Sequence, residues 1–261
     1  MDDNDNIELE FLDCNLSYGP QTAAEQLKCC VSIDELTGHI KCAGISGGLV
    51  INTINEAILA NKTVAEDIKN KKDKDIMLKG VWLLLPSCTE EIPSPNDLPQ
   101  LMKQNNIGAI TINPKVHRYL PRKNVIGDYM EMAVERKIPV LLNTARGLTL
   151  EEADDIMRDF PDLTAVLHFD NTWPSDRLLR PFLDSYPNLC LDMTYMMMTD
   201  SGLKDLLKKY PAERILFGSG FPVSYMGAHM LVIKHAEISL EDKRKIAGGN
   251  LKKLLEEADY N

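Results

Sequence analysis

The chain has 261 residues, 44% hydrophobic and 26% charged, enough apolar content to bury the core of one large domain. Its formal net charge of -10 comes from acidic residues spread along the sequence without an extended basic tract. This excludes nucleic acid as a general partner and leaves small anions open wherever basic residues gather. Six cysteines form no CxxC pair, the N-terminal MDDNDNIELE is acidic where a secretory signal is basic, and no run approaches the roughly 18 apolar residues of a membrane span. The expectation is a cytoplasmic protein with reduced thiols and no membrane partner.

In chain order, eight short β-rich apolar runs alternate with longer stretches of helical pattern. The runs are LEFLDC (9–14), GLVIN (48–52), GVWLLL (80–85), GAITIN (108–113), IPVLLN (138–143), LTAVLHF (163–169), NLCLDM (188–193) and RILFGS (214–219). Ser32 with Glu35 predicts a capping box before SIDEL, and Thr149 precedes LEEADDIMRDF with apolar residues at helical spacing. Residues 128–136 and 201–210 read as helices too, and KNKKDKD (69–75) as the solvated end of the second helix. Strand then helix, eight times over 261 residues, predicts an α/β fold: one (β/α)8 TIM barrel spanning 1–261, with a doubly wound open sheet as the alternative.

Barrel ligands sit at the C-terminal ends of the strands, which singles out 13–17, Asn52, Pro86, Asn113, 143–146, 168–170, 192–195 and 219–222. By strand alternation Asp13, Asn15 and Ser17 share one face, and Cys14 points away toward the helices. Cys29 and Cys30 are adjacent and read as packed thiols. Arg146 in NTARG is a candidate carboxylate clamp, and Lys115, His117, Arg118, Arg122 and Lys123 in PKVHRYLPRK offer a cationic rim that would steer an anion inward or simply face water. Methionines in TYMMMTD (194–200) and VSYMGAHM (223–230) read as a lid, a partner surface or buried helix undersides, and PSCTEEIPSPNDLP (86–99) as a mobile cover or a rigid excursion.

These strand ends resemble the amidohydrolase superfamily, in its amidohydrolase-related branch of aminocarboxymuconate-semialdehyde decarboxylase type. The family's first strand ends in D-x-H-x-H, matched by Asp13, Asn15 and Ser17; its fifth in PV(L/I)xH, matched by PVLLN with Asn143. Its sixth ends in a histidine, matched by His168, and its eighth reads ILFGSDxP, matched by RILFGSGFP with Gly220 in the aspartate position. GNLKKLL (249–255) keeps the look of the family's closing helix.

The resemblance implies a hydrolase or decarboxylase of a small carboxylate-bearing molecule, a small anion as ligand, and a homodimer. It also places the family's metal on five positions of which only His168 remains a good ligand. Asn15, Ser17 and Asn143 offer neutral oxygens, and Gly220 offers neither a ligand nor a base. The expectation is therefore no metal and no cofactor. His168 and Asp170 are the candidate catalytic pair, and Asn15, Ser17, Asn143, Arg146 and Ser219 line the substrate. A catalytically inactive barrel that binds a small anion or serves assembly is the alternative.

Overall fold

The computed structural model describes residues 8–20, 30–169, 176–194 and 202–261. Each of the eight apolar runs forms a strand: β1 (Phe11–Tyr18), β2 (Ile45–Asn52), β3 (Met77–Leu84), β4 (Ile107–Ile112), β5 (Val140–Asn143), β6 (Ala165–His168), β7 (Leu189–Asp192) and β8 (Ile215–Leu216). All neighbours pair in parallel, in the order β1 to β8. The first and last strands meet, with the Cys14 N–H donating to the Phe217 carbonyl at 2.9 Å and the Ser17 N–H to the Phe221 carbonyl at 3.0 Å. The sheet thus curls into a barrel rather than ending in two open edges.

Local signals place the surrounding helices. Ser32 and Glu35 close a reciprocal capping box on Ile33–Ala43, and Thr149 and Glu152 do the same on Leu150–Asp159, each satisfying backbone donors that have no intrahelical partner. The helix expected over 128–136 begins earlier, at Lys123, because Ile126 and Met130 extend the buried face that Ala133 continues. The one expected over 201–210 spans Gly202–Leu207. Asn250 explains the closing GNLKKLL: its amide donates to the carbonyls of Ala212 at 2.7 Å and Ile215 at 2.8 Å, fastening the last helix to β8. The segment 86–99 is anchored, with Tyr129 Oη donating to the Pro93 carbonyl at 2.8 Å. Among the described residues no helix is long and apolar enough to cross a membrane.

One irregularity positions the interior. From Asp13 to Leu16 β1 advances three residues while β2 advances two, from Gly48 to Val50, so the pair carries a β-bulge at Cys14 and Asn15. The strands approach so closely there that a Cβ on Gly48 would lie 2.0 Å from the Asp13 carbonyl oxygen. Gly48→Ala is expected to destabilise the fold by about 2–3 kcal/mol, the upper part of the overpacking range because the obstructing neighbour is backbone, as read by urea unfolding.

Candidate functional site

His168, the last residue of β6, is fully buried, and its Nδ1 lies 2.6 Å from Asp192 Oδ2 at the end of β7. Asn15, on the β1 bulge, donates from its side-chain amide to the same Asp192 oxygen and to Thr194 Oγ1, both at 3.0 Å. The other Asp192 oxygen accepts the Thr194 N–H at 2.9 Å. Three strands thus converge on one carboxylate. Burial alone would raise the Asp192 carboxyl, but the charge and hydrogen bond of His168, with those from Thr194, outweigh it and hold it below the ordinary carboxylate range. When the imidazole is neutral, the ionised Asp192 accepts a hydrogen bond from its Nδ1–H and leaves the lone pair on Nε2, which is buried and, among the described residues, without a partner.

His168, Asn15, Asn143 and Arg146 line one narrow cavity inside the barrel, with about 20 Å³ of room, the space of a single water. Asn143 faces His168 directly across the β5–β6 ladder, and its Oδ1 is likewise buried and, among the described residues, unpartnered. Arg146 arrives on the tight turn Thr144–Arg146 that follows β5. Ser17 and Ser219 are buried at the β1–β8 seam outside this lining: Ser17 Oγ donates to the Phe221 carbonyl at 3.5 Å, and Ser219 Oγ accepts the Phe221 N–H at 3.1 Å. Asp170 lies outside the described residues, as do Cys29 and all of TYMMMTD beyond Thr194. In VSYMGAHM, Met226 and Met230 are buried and Tyr225 is exposed. The cationic loop is partly neutralised, since Arg122 is bound to Asp155.

Cys14 corrects the alternation argument. It lines the same cavity as Asn15, and its Sγ, a ring nitrogen of His168 and a carboxylate oxygen of Asp192 lie within 4.8 Å of one another. The bulge is the reason, because an inserted residue breaks the period of two. The thiol is not activated by this company: burial, with the charges of Asp192 and Asp13, pushes it well above its ordinary range. Asp192 and Thr194 carry the site yet stood only among the strand-end positions, with no role assigned. The aspartate within NLCLDM, the last residue of β7, was the available signal.

Asp13 sits behind this group, fully buried. Its Oδ1 accepts the N–H of Asn15 at 2.9 Å and of Ser219 at 3.1 Å. Burial pushes its carboxyl up to about 6, with the Asp192 charge adding to the rise and the hydrogen bonds from Ser219 and Asn15 opposing it.

The family model described as amidohydrolase matches residues 99–256, more than half of the chain. The chain belongs to the amidohydrolase family. Solved structures share its fold at low identity. An uncharacterized TIM-barrel protein from Bordetella bronchiseptica is 18% identical with a TM-score of 0.68, covering 95% of this chain and 99% of its own. The 2,6-dihydroxybenzoate decarboxylase from Rhizobium is 12% identical with a TM-score of 0.69 and the same coverages. A 5-carboxyvanillate decarboxylase from Novosphingobium aromaticivorans, with bound manganese, is 12% identical with a TM-score of 0.71, covering 95% of this chain and 97% of its own. No curated protein matches.

In this amidohydrolase-family barrel, the raised Asp13 carboxyl favours the folded state when neutral. That stability is present below the unfolded value near 3.8 and is lost as pH rises through about 6. Asp13→Asn keeps the acceptor and removes the charge, so the variant is expected to be more stable than the parent by about 2 kcal/mol near pH 8, with the gap closing toward pH 4. Urea unfolding at the two pH values measures it.

Proposed function

We propose that this amidohydrolase-family protein is a metal-independent decarboxylase of a small, hydroxyl-bearing carboxylic acid, with His168 as its proton-transfer group. The observation that carries the reading is the buried His168–Asp192 pair, whose outer nitrogen Nε2 has no partner among the described residues and lies beside the cavity. Asp192 fixes the tautomer, so Nε2 can accept a proton and, once charged, return it. The adjacent unpartnered acceptors, Nε2 and Asn143 Oδ1, call for an occupant that donates hydrogen bonds, and a hydroxyl does so. Arg146, on the same cavity, is the group for the carboxylate. Decarboxylation needs one acid: the carbon bearing the carboxylate takes the proton from Nε2, the bond to the carboxylate breaks, and CO2 leaves while that bonding pair restores the unsaturation. Hydrolysis would need a further base, and at the eighth-strand position a Cβ on Gly220 would meet Thr194 Cγ2 at 2.5 Å.

The donors present do not fit the family's divalent metal. Among the described residues, Asn15 and His168 both direct N–H groups at Asp192 Oδ2, Cys14 is held as a thiol, and what remains in the cavity is one imidazole nitrogen with the neutral amide oxygens of Asn15 and Asn143, a set without a free anionic ligand and short of the roughly four ligands such an ion takes. The narrowness of the described cavity favours a second reading, an inactive barrel that binds a small anion.

A panel of hydroxybenzoates and unsaturated small acids, assayed for CO2 release with and without chelator, separates the readings. The expected result is turnover indifferent to chelator and reduced about 10²–10⁴-fold in His168→Asn. Turnover lost to chelator and restored by manganese or zinc overturns the metal-independent reading. No turnover, with thermal stabilisation by one of the acids, favours the binding barrel.

A further inference from the structure

At the opposite end of the barrel from His168 lies a second cavity of about 590 Å³, within the usual size of a small-molecule site. Its floor is apolar, formed by Leu12, Ile76 and Leu78 at the starts of β1 and β3 and by Leu251 and Leu255 of the closing helix Asn250–Glu257. Lys71, Lys74, Lys79 and Lys252 stand around that floor, and Glu256 is the one carboxylate in the lining. Two of these lysines come from KNKKDKD, which is therefore not simply a solvated helix end, since Lys71 is buried.

Three of these lysines donate to neutral acceptors. Lys71 Nζ donates to the Asp73 carbonyl, and Lys74 Nζ to the Lys69 carbonyl at 3.1 Å. Lys79 Nζ donates to Asn106 Oδ1 at 3.4 Å and lies 5.8 Å from the centre of the Tyr260 ring. The nearby carboxylates of Asp73 and Asp75 are drawn off by Lys41, at 2.6 and 3.6 Å. Burial pushes both Lys71 and Lys79 down, as expected of ammonium groups losing water without a full counter-charge. In a chain of net charge -10, an apolar hollow edged by four lysines is a local inversion of the overall field.

We propose that this cavity binds an amphiphilic monoanion, a molecule with an apolar body and a single carboxylate head, the chemistry of a medium-chain carboxylic acid. The body covers the leucine floor and the head meets the lysines, Lys79 foremost. The site is independent of the His168 centre.

Calorimetric titration of the full chain with dodecanoate below its micellar concentration tests this, with acetate as head-only control and dodecyltrimethylammonium as the oppositely charged tail. Saturable one-site binding of dodecanoate is expected, with neither control binding and with His168→Asn unchanged. Lys79→Met is expected to weaken binding about tenfold, the size of one lost charge-assisted hydrogen bond. Met77 lines the cavity and is 58% exposed, so Met77→Glu adds a repelling charge without disturbing the core and is expected to weaken binding similarly if Lys79→Met does not fold. Absent or non-saturable dodecanoate binding, equal binding of the cationic tail, or an unchanged Kd in the folded variants overturns the proposal.

Discussion

Asp13 Oδ1 accepts one N–H from Asn15 on its own strand and another from Ser219 just beyond β8, in a setting from which water is excluded. Much of the interior depends on that one atom. The bond to Asn15 holds the β1 bulge, and the bond to Ser219 draws the end of β8 against β1, where the Cys14 and Ser17 N–H groups complete the seam. Without the bulge Cys14 would face the helices. The arrangement is costly, since a buried carboxylate resists ionisation, and β2 has to present a glycine where it passes the Asp13 carbonyl.

The centre that results is a hydrogen-bonded network rather than a cluster of ligands. Asp192 is its hub, saturated by His168, Asn15 and the Thr194 backbone. A buried ionic pair contributes little net stability, because desolvation offsets its attraction, but each partner left alone would be a large penalty. The network therefore persists as a unit and holds His168 in one tautomer. Its outward face consists of Nε2 and the Asn143 carbonyl oxygen, two acceptors fixed side by side by the parallel register of β5 and β6. That is a directional demand on whatever enters.

The barrel was legible because each strand is a short apolar run and two of the helices between them, those capped by Ser32 and Thr149, carry their own start signal. His168 and Asn143 were legible as the final residues of their strands, where barrel chemistry gathers. Cys14 was not, since the period-2 rule assumes an unbroken ladder and the bulge arises from a tertiary approach between β1 and β2. Asp192 was legible as a position but not as a partner: what makes it the hub is the spacing between neighbouring strands, which no single run encodes. The lysines of 69–75 show the same limit, for the floor beneath them comes from β1, β3 and a helix nearly two hundred residues away.

Gly218 and Gly220 constrain what else these positions can hold. A Cβ at 218 would overlap Asp192 Oδ1 at 1.9 Å, and one at 220, where φ is +67°, would strike Thr194 Cγ2 at 2.5 Å. Thr194 cannot simply turn aside, because its hydroxyl is held by Asn15. An aspartate at position 220 would therefore require a smaller residue at 194, and loss of the Thr194 hydroxyl would leave one Asn15 amide hydrogen without its acceptor while the other stays on Asp192. A carboxylate at this strand end and the present Asn15–Thr194 contact exclude one another, so position 220 cannot change without position 194.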